Sequence, residues 1–201
     1  MKAYYEARAR EYDDWIEGVG VYADRVRPGW EAELAALRTA LEGLAPARTL
    51  DVAAGSGYFT RWLRGHVTAF DQSASMIEVA RERDAADEYV VGDALDLPFA
   101  DGAFDRLFTG HFYGHLNEEE RGRFLAESRR VAPELVVLDS AWREELPREE
   151  WQERLLKDGS RWQVYKRYFE PEQLAVELGG GQTVFAGRWF VCVASHARRR
   201  E

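Results

Sequence analysis

The sequence predicts an α/β fold: a doubly wound, seven-stranded sheet, parallel except for a C-terminal antiparallel hairpin strand, with a helical lid at the N-terminus. Three observations lead there. From Arg48 onward, short apolar runs alternate with amphipathic stretches, the pattern of parallel strands joined by helices. Gly55-Ser56-Gly57 follows the first of those runs, as a turn from strand into helix. Late in the chain, residues 182–185 and 189–194 flank Ala186-Gly187-Arg188 at hairpin spacing.

In chain order, residues 4–15 and 30–44 read as helices of a cap (1–44), and the core (45–201) begins near Ala45-Pro46. Residues 49–53 form the first strand, and the glycine turn leads into a helix carrying Phe59, Trp62 and Leu63. Residues 67–70 form the second strand, which ends at Asp71. Ser73 then caps a helix in which Met76, Ile77 and Ala80 recur at helical spacing. Residues 89–91 are a third strand closed by Gly92-Asp93, and 104–108 a fourth after the turn Ala100-Asp101-Gly102. A helix over 118–131 precedes the fifth strand, 135–138, and a helix over 171–178 precedes the terminal hairpin. Between them, residues 160–169 are aromatic and basic. They read as a solvated edge, with an acidic-group anchor through Lys166 or Arg167 as the alternative. The tail from His196 through Arg200 reads as a solvated end.

The 201 residues are enough for one medium domain with a buried core. With 27 basic against 36 acidic side chains, the net charge of −9 weighs against a nucleic-acid partner, because duplex binding draws on Lys and Arg against phosphates. Cys192 is the only cysteine, so no internal disulfide and no cysteine-based zinc site can form. Residues 1–15 are charged throughout and no run of 18 apolar residues occurs. The expectation is neither a membrane span nor a signal peptide, with the cytoplasm as the default location. Nothing in the sequence speaks to oligomeric state.

Candidate ligand-binding residues fall where an open parallel sheet places its site, beyond the carboxyl ends of the strands. Gly55 and Gly57 let the backbone pass close to a ligand. Asp71, 20 residues after Asp51, stands where a carboxylate accepts both hydroxyls of a ribose. Asp93 is positioned to accept from an exocyclic amine such as adenine's, with Met76 available to the ring face. A glycine turn alone is a common connection. The ordered set, with an acid after strand two and Gly-Asp after strand three, is not.

Leu50-Asp-Val-Ala-Ala-Gly-Ser-Gly-Tyr-Phe-Thr60 resembles motif I of the class I S-adenosylmethionine (SAM)-dependent methyltransferases, whose sheet is Rossmann-like. Ala69-Phe-Asp-Gln-Ser-Ala-Ser-Met-Ile77 is similar to their second motif. Residues 91–99 and 102–108 resemble their third and fourth, with Leu97-Pro98-Phe99 like that of the quinone and small-molecule branch. The resemblance covers about residues 45–195. It implies SAM as methyl donor, SAH (S-adenosylhomocysteine) as product and a small-molecule acceptor. Asp51, Ala53, Gly55, Gly57, Asp71, Gln72, Met76, Asp93 and Ala94 would make up the donor site. Gly55 and Gly57 would approach the methionine part. The family often has glycine where this chain has Ala53, a mild departure that shifts the pocket slightly.

Two other readings stay open: a SAM-binding module without catalysis, and an NAD(P)-dependent oxidoreductase on a similar sheet. The third glycine of a G-x-G-x-x-G turn would fall at Thr60, which speaks against the latter. No Gly-Lys-Ser/Thr follows the turn, which excludes a P-loop.

For the acceptor, His111 and His115 follow strand four, and His111 is the better candidate for a base or an orienting group. Without a Glu between them or a Cys nearby, the pair is not read as a metal site. Residues 4–15 resemble the N-terminal lid of small-molecule methyltransferases, where a tyrosine often closes over SAM. Tyr12 takes that role here, unless these aromatics simply pack the cap on the core. Tyr5, Tyr165 and Lys166, with the two histidines, complete the candidate acceptor pocket.

Overall fold

The computed structural model describes residues 1–196. Five strands, β1 (Ala47–Val52), β2 (Gly65–Asp71), β3 (Glu88–Val91), β4 (Arg106–Gly110) and β5 (Glu134–Ser140), pair in parallel. β6 (Glu149–Leu155) and β7 (Arg161–Arg167) form a separate antiparallel pair. β8 (Gln182–Ala186) and β9 (Phe190–His196) complete the main sheet, in which β9 is antiparallel to both β5 and β8. The strand order is β3-β2-β1-β4-β5-β9-β8, the expected seven-stranded doubly wound sheet with one antiparallel strand.

Leu135-Val136-Val137-Leu138 is buried along its length because β5 lies mid-sheet with both faces covered. On one face pack α5 (Glu118–Val131), through Phe124 and Val131, and α6 (Pro171–Glu177), through Leu174. On the other, Leu37 and Leu41 of α3 (Trp30–Glu42) meet Val136, Leu138 and Phe190. α5 begins at a capping box, Asn117 with Glu120. α4 (Ala74–Glu82) begins as expected at Ser73, whose hydroxyl accepts from the Met76 N–H.

Four expectations need correction. The segment after the glycine turn is only a 3-10 turn, Thr60–Trp62, because Leu63 is already extended and the chain enters β2 at Gly65. Residues 4–15 are not one helix but α1 (Lys2–Arg8), a 3-10 turn at Ala9–Glu11 and α2 (Asp14–Glu17). The break lets Tyr12 and Asp13 reach the β1 loop, where the Ser56 hydroxyl donates to Asp13 at 2.6 Å. α3, assigned to the cap, is instead a flanking helix of the sheet, since its buried leucines belong to the core. Residues 160–169 are not a solvated edge: β7 pairs with β6, and Lys166 is only 4% exposed. The tail beyond His196 lies outside the described residues. Among them, no helix is long and apolar enough to cross a membrane.

One carboxylate ties the hairpin to the sheet. Asp139, fully buried in β5, accepts from Lys166 Nζ of β7 at 2.5 Å and from the Gly114 N–H at 2.8 Å. Burial pushes its carboxyl up, but the Lys166 ammonium, by charge and by hydrogen bond, together with the nearby His111 and His115 holds it below the usual carboxylate range. Asp139→Ala leaves that ammonium buried and unpaired, and is expected to lower unfolding free energy in urea by about 3–5 kcal/mol.

Candidate active site

The strand order reverses between β1 and β4, and open α/β sheets bind ligands beyond the carboxyl ends of such strands. A cavity of about 260 Å³ lies there. Ala53 and Gly55 of the β1 turn line it. So do Asp71 and Gln72 after β2, Asp93 and Ala94 after β3, and Gly110 and His111 at the end of β4. From the lid come Tyr5 and Tyr12, and a Cβ on Gly55 would stand 3.6 Å from the Tyr12 ring.

Asp71 Oδ2 accepts from the Gly55 N–H and Oδ1 from the Ser73 N–H, both at 2.9 Å. One carboxylate thereby joins the glycine turn to the head of α4. Burial pushes it up to about 6, against those two donors. Asp93 is exposed, with Oδ1 accepting from the Leu95 N–H at 2.9 Å and its other oxygen free of protein donors among the described residues.

Ala53 (φ 58°) and His111 (φ 55°) both adopt the left-handed conformation that favours glycine. They sit at the ends of adjacent strands, at the point where the strand order reverses. His111 Nδ1 lies 3.3 Å from Ser140 Oγ and 3.8 Å from Asp139 Oδ1, while Nε2 is buried with no partner. Burial first, and the Lys166 ammonium second, hold this imidazole down at about 3, so the ring is neutral. His115 is held at about 3 for the same reasons, and its Nδ1 stands 2.6 Å from the Tyr165 carbonyl oxygen.

Past His111 the space continues into a smaller cavity of about 60 Å³, which shares Tyr5, Tyr12, His111 and His115 with the larger one. Arg8, Ser140, Arg154 and Lys166 line it further.

Four expected site residues stand elsewhere. Gly57 packs against α4: a Cβ there would stand 2.4 Å from that of Ala85, so this glycine serves helix-to-loop packing and does not line the cavity. Met76 is buried against Ala9, Tyr5 and Tyr12, joining lid to core. The Tyr165 hydroxyl donates to Glu149, because successive side chains of β7 alternate and its neighbours Val164 and Lys166 are the ones that turn inward. Asp51 is fully buried behind the turn. Its Oδ2 accepts from the Thr60 hydroxyl at 2.6 Å, and its Oδ1 has no partner.

A family model described as a methyltransferase domain matches residues 50–134, from β1 into β5. A demethylmenaquinone methyltransferase of Thermotoga maritima is 37% identical over 102 residues, 47% of this chain and 44% of that protein. The chain thus spans less than half the length of that curated relative. A solved complex of DhpI with SAH superposes with a TM-score of 0.71 at 29% identity, covering 98% of this chain and 95% of that one. The DhpI–SAM–HEP complex gives 0.69 at 28% identity, over 96% and 94%. Over residues 50–134 the chain is similar to a methyltransferase domain, and its whole fold is similar to that of the SAH-bound and SAM-bound DhpI.

Sequence reasoning missed several residues of this site. Arg8 lies on a helix with no distinguishing pattern. Arg154 sits in Glu-Glu-Trp-Gln-Glu-Arg-Leu, whose alternating exposure marks β6, but this was not read as a strand. Asp139-Ser140, a polar pair directly after an apolar strand, was the available signal.

Burial pushes the Asp51 carboxyl up to about 8, so the folded chain keeps a proton there that the unfolded chain releases near the ordinary carboxylate value. Its contribution to stability is therefore present at low pH and lost as pH rises toward 8. Asp51→Asn is expected to flatten that decline: urea midpoints at pH 5 and pH 8 should draw closer together than in the parent protein. At Ala53, a change to glycine relieves the left-handed backbone. It should leave stability unchanged or slightly raised, where Ala→Gly elsewhere costs up to about 1 kcal/mol.

Proposed function

We propose that this chain transfers the methyl group of SAM to a small-molecule acceptor and releases SAH. The observation that carries this reading is the pair of joined cavities. The larger is lined by the glycine turn, Asp71 and Asp93, and the smaller lies beyond His111 under the lid.

The residues of the larger cavity suit the donor. Asp71, already anchored to both loop segments, keeps lone pairs for the two ribose hydroxyls. Asp93 offers an acceptor to the adenine amine, and Gln72 and Ala94 flank it. Ala53 and Gly55 bring the β1 backbone close to the methionine part, and Tyr12 covers it with an electron-rich ring. Bound SAM supplies an electrophilic methyl on a sulfonium. The chain's own work is alignment and exclusion of water, by Tyr5, Tyr12 and Trp15 of the lid. His111 supports this as an orienting group: held neutral at about 3, it is too weak a base to draw a proton from an ordinary hydroxyl.

In this reading the working lid is α1, α2 and the β6–β7 hairpin, joined through Tyr4, Leu156 and Val164. The size of the smaller cavity, about 60 Å³, and the net charge of −9 favour a small molecule over nucleic acid. The cytoplasm, which supplies the donor, is the location assigned.

Calorimetric titration tests the donor site. SAM and SAH should bind and NAD should not, and Asp71→Ala should weaken SAM by at least about tenfold through loss of charge-assisted hydrogen bonds. Binding of NAD without SAM would sink the reading.

A further inference from the structure

The smaller cavity has an unusual charge balance. Arg8 is 5% exposed and Lys166 is 4% exposed, and Arg154 lines the same space. Lys166 is paired with Asp139, and the neighbouring Arg167 donates to Glu177, so neither is free to hold a ligand. Among the described residues, Arg8 and Arg154 make no ion pair. The hydrogen-bond partners of Arg8 are neutral: the Tyr4 hydroxyl at 2.5 Å, the Tyr22 hydroxyl at 3.2 Å and the Tyr12 carbonyl at 3.5 Å. Arg154 donates through one nitrogen to the Gln152 side chain, and its Nε is buried with no partner at all. Both guanidiniums have only neutral partners and so lack a counter-charge, which an anionic ligand supplies, together with an acceptor for the Arg154 Nε. In a protein of net charge −9, two such cations in one cavity beside the methyl-donor site are a built feature of that site.

Resting on the methyl-transfer reading, we propose that the acceptor carries a small oxyanion head, a carboxylate, phosphonate or phosphate. The head sits between Arg8 and Arg154 and is methylated on oxygen. The volume of about 60 Å³ corresponds to roughly two waters of liquid, which admits such a head and excludes an aromatic ring. A longer acceptor extends into the open groove that shares Tyr4, His115 and Val164 with the cavity.

The step balances without a general base. A lone pair of the oxyanion forms the new O–C bond as the methyl–sulfur bond breaks. That bonding pair returns to sulfur, leaving the thioether of SAH and an ester one negative charge poorer than the acceptor. No proton moves, which agrees with the neutral state of both His111 and His115. Anion and sulfonium neutralise each other in a space shielded from water, where the attraction is least screened.

Calorimetry on the full chain saturated with SAH tests this, with methylphosphonate, inorganic phosphate and acetate as probes and phenol as the neutral control. At least one oxyanion should bind and phenol should not. The order among the probes tells a tetrahedral head from a planar one. Arg154→Gln should weaken that oxyanion by about 10- to 100-fold with SAH affinity unchanged, and Arg154→Lys should recover part of the loss. If SAH binds but no oxyanion does up to about 10 mM, the proposal is overturned. It is overturned equally if Arg154→Gln leaves oxyanion affinity untouched. If SAH itself does not bind, the methyl-transfer reading fails and takes this inference with it.

Discussion

The carboxylate of Asp139 is the point on which the acceptor side of the molecule hangs. It lies fully buried at the end of β5 and takes three donors: Lys166 Nζ from the hairpin, the Gly114 N–H from the β4–α5 connection, and the Ser140 N–H. His111 stands 3.8 Å away. Three separate stretches of chain thus meet at one buried negative charge, which the Lys166 ammonium compensates. A charge in such surroundings holds its partners firmly, because any that leaves exposes an unpaired ion to a poor solvent. The hairpin that carries Arg154 owes its place to that pair, since few other buried apolar contacts fasten it: Leu156 and Val164 against Tyr4.

The donor side is organised by a different device, the lid's polar anchorage. Glu6 accepts from the N–H groups of Ala74 and Ser75, capping α4 from outside, and Asp13 takes the Ser56 hydroxyl and pairs with Arg83. These contacts tie α1 and α2 to the glycine turn and to α4, so that Tyr12 stands over Gly55. Backbone strain lies nearby too, at Ala53 and His111, both left-handed without being glycine. Strain held at the ends of two adjacent strands keeps their loops in the shape that both cavities require.

In the methyl transfer proposed above, these two devices divide the labour. The lid and the turn enclose the donor, and the hairpin and Asp139 enclose the acceptor. His111, packed against Trp15, Phe59 and Phe190, sits between them. Its Nε2 and the Nε of Arg154 are buried polar atoms without a partner, and both residues line the smaller cavity.

The donor half was legible in the sequence because its signals are local. A strand of apolar residues ending in a glycine turn, Asp71 ending β2 and Gly92-Asp93 closing β3 each declare themselves within a few residues. The parallel sheet then brings them together by topology alone. That the turn runs straight into β2 without a full helix, and that Gly57 and Met76 serve packing, depended on neighbours distant in sequence. Of the residues around the smaller cavity, Tyr5, His111, His115 and Lys166 were expected from the sequence, but their meeting with Arg8, Ser140 and Arg154 was decided only by tertiary structure. Arg8, Ser140, Arg154 and Lys166 are scattered over more than 150 residues. Nothing in their spacing relates them until a buried carboxylate draws a hairpin onto the end of the sheet. Periodicity records which residues face a core. It carries no record of which charges, buried far apart along the chain, are left without a partner.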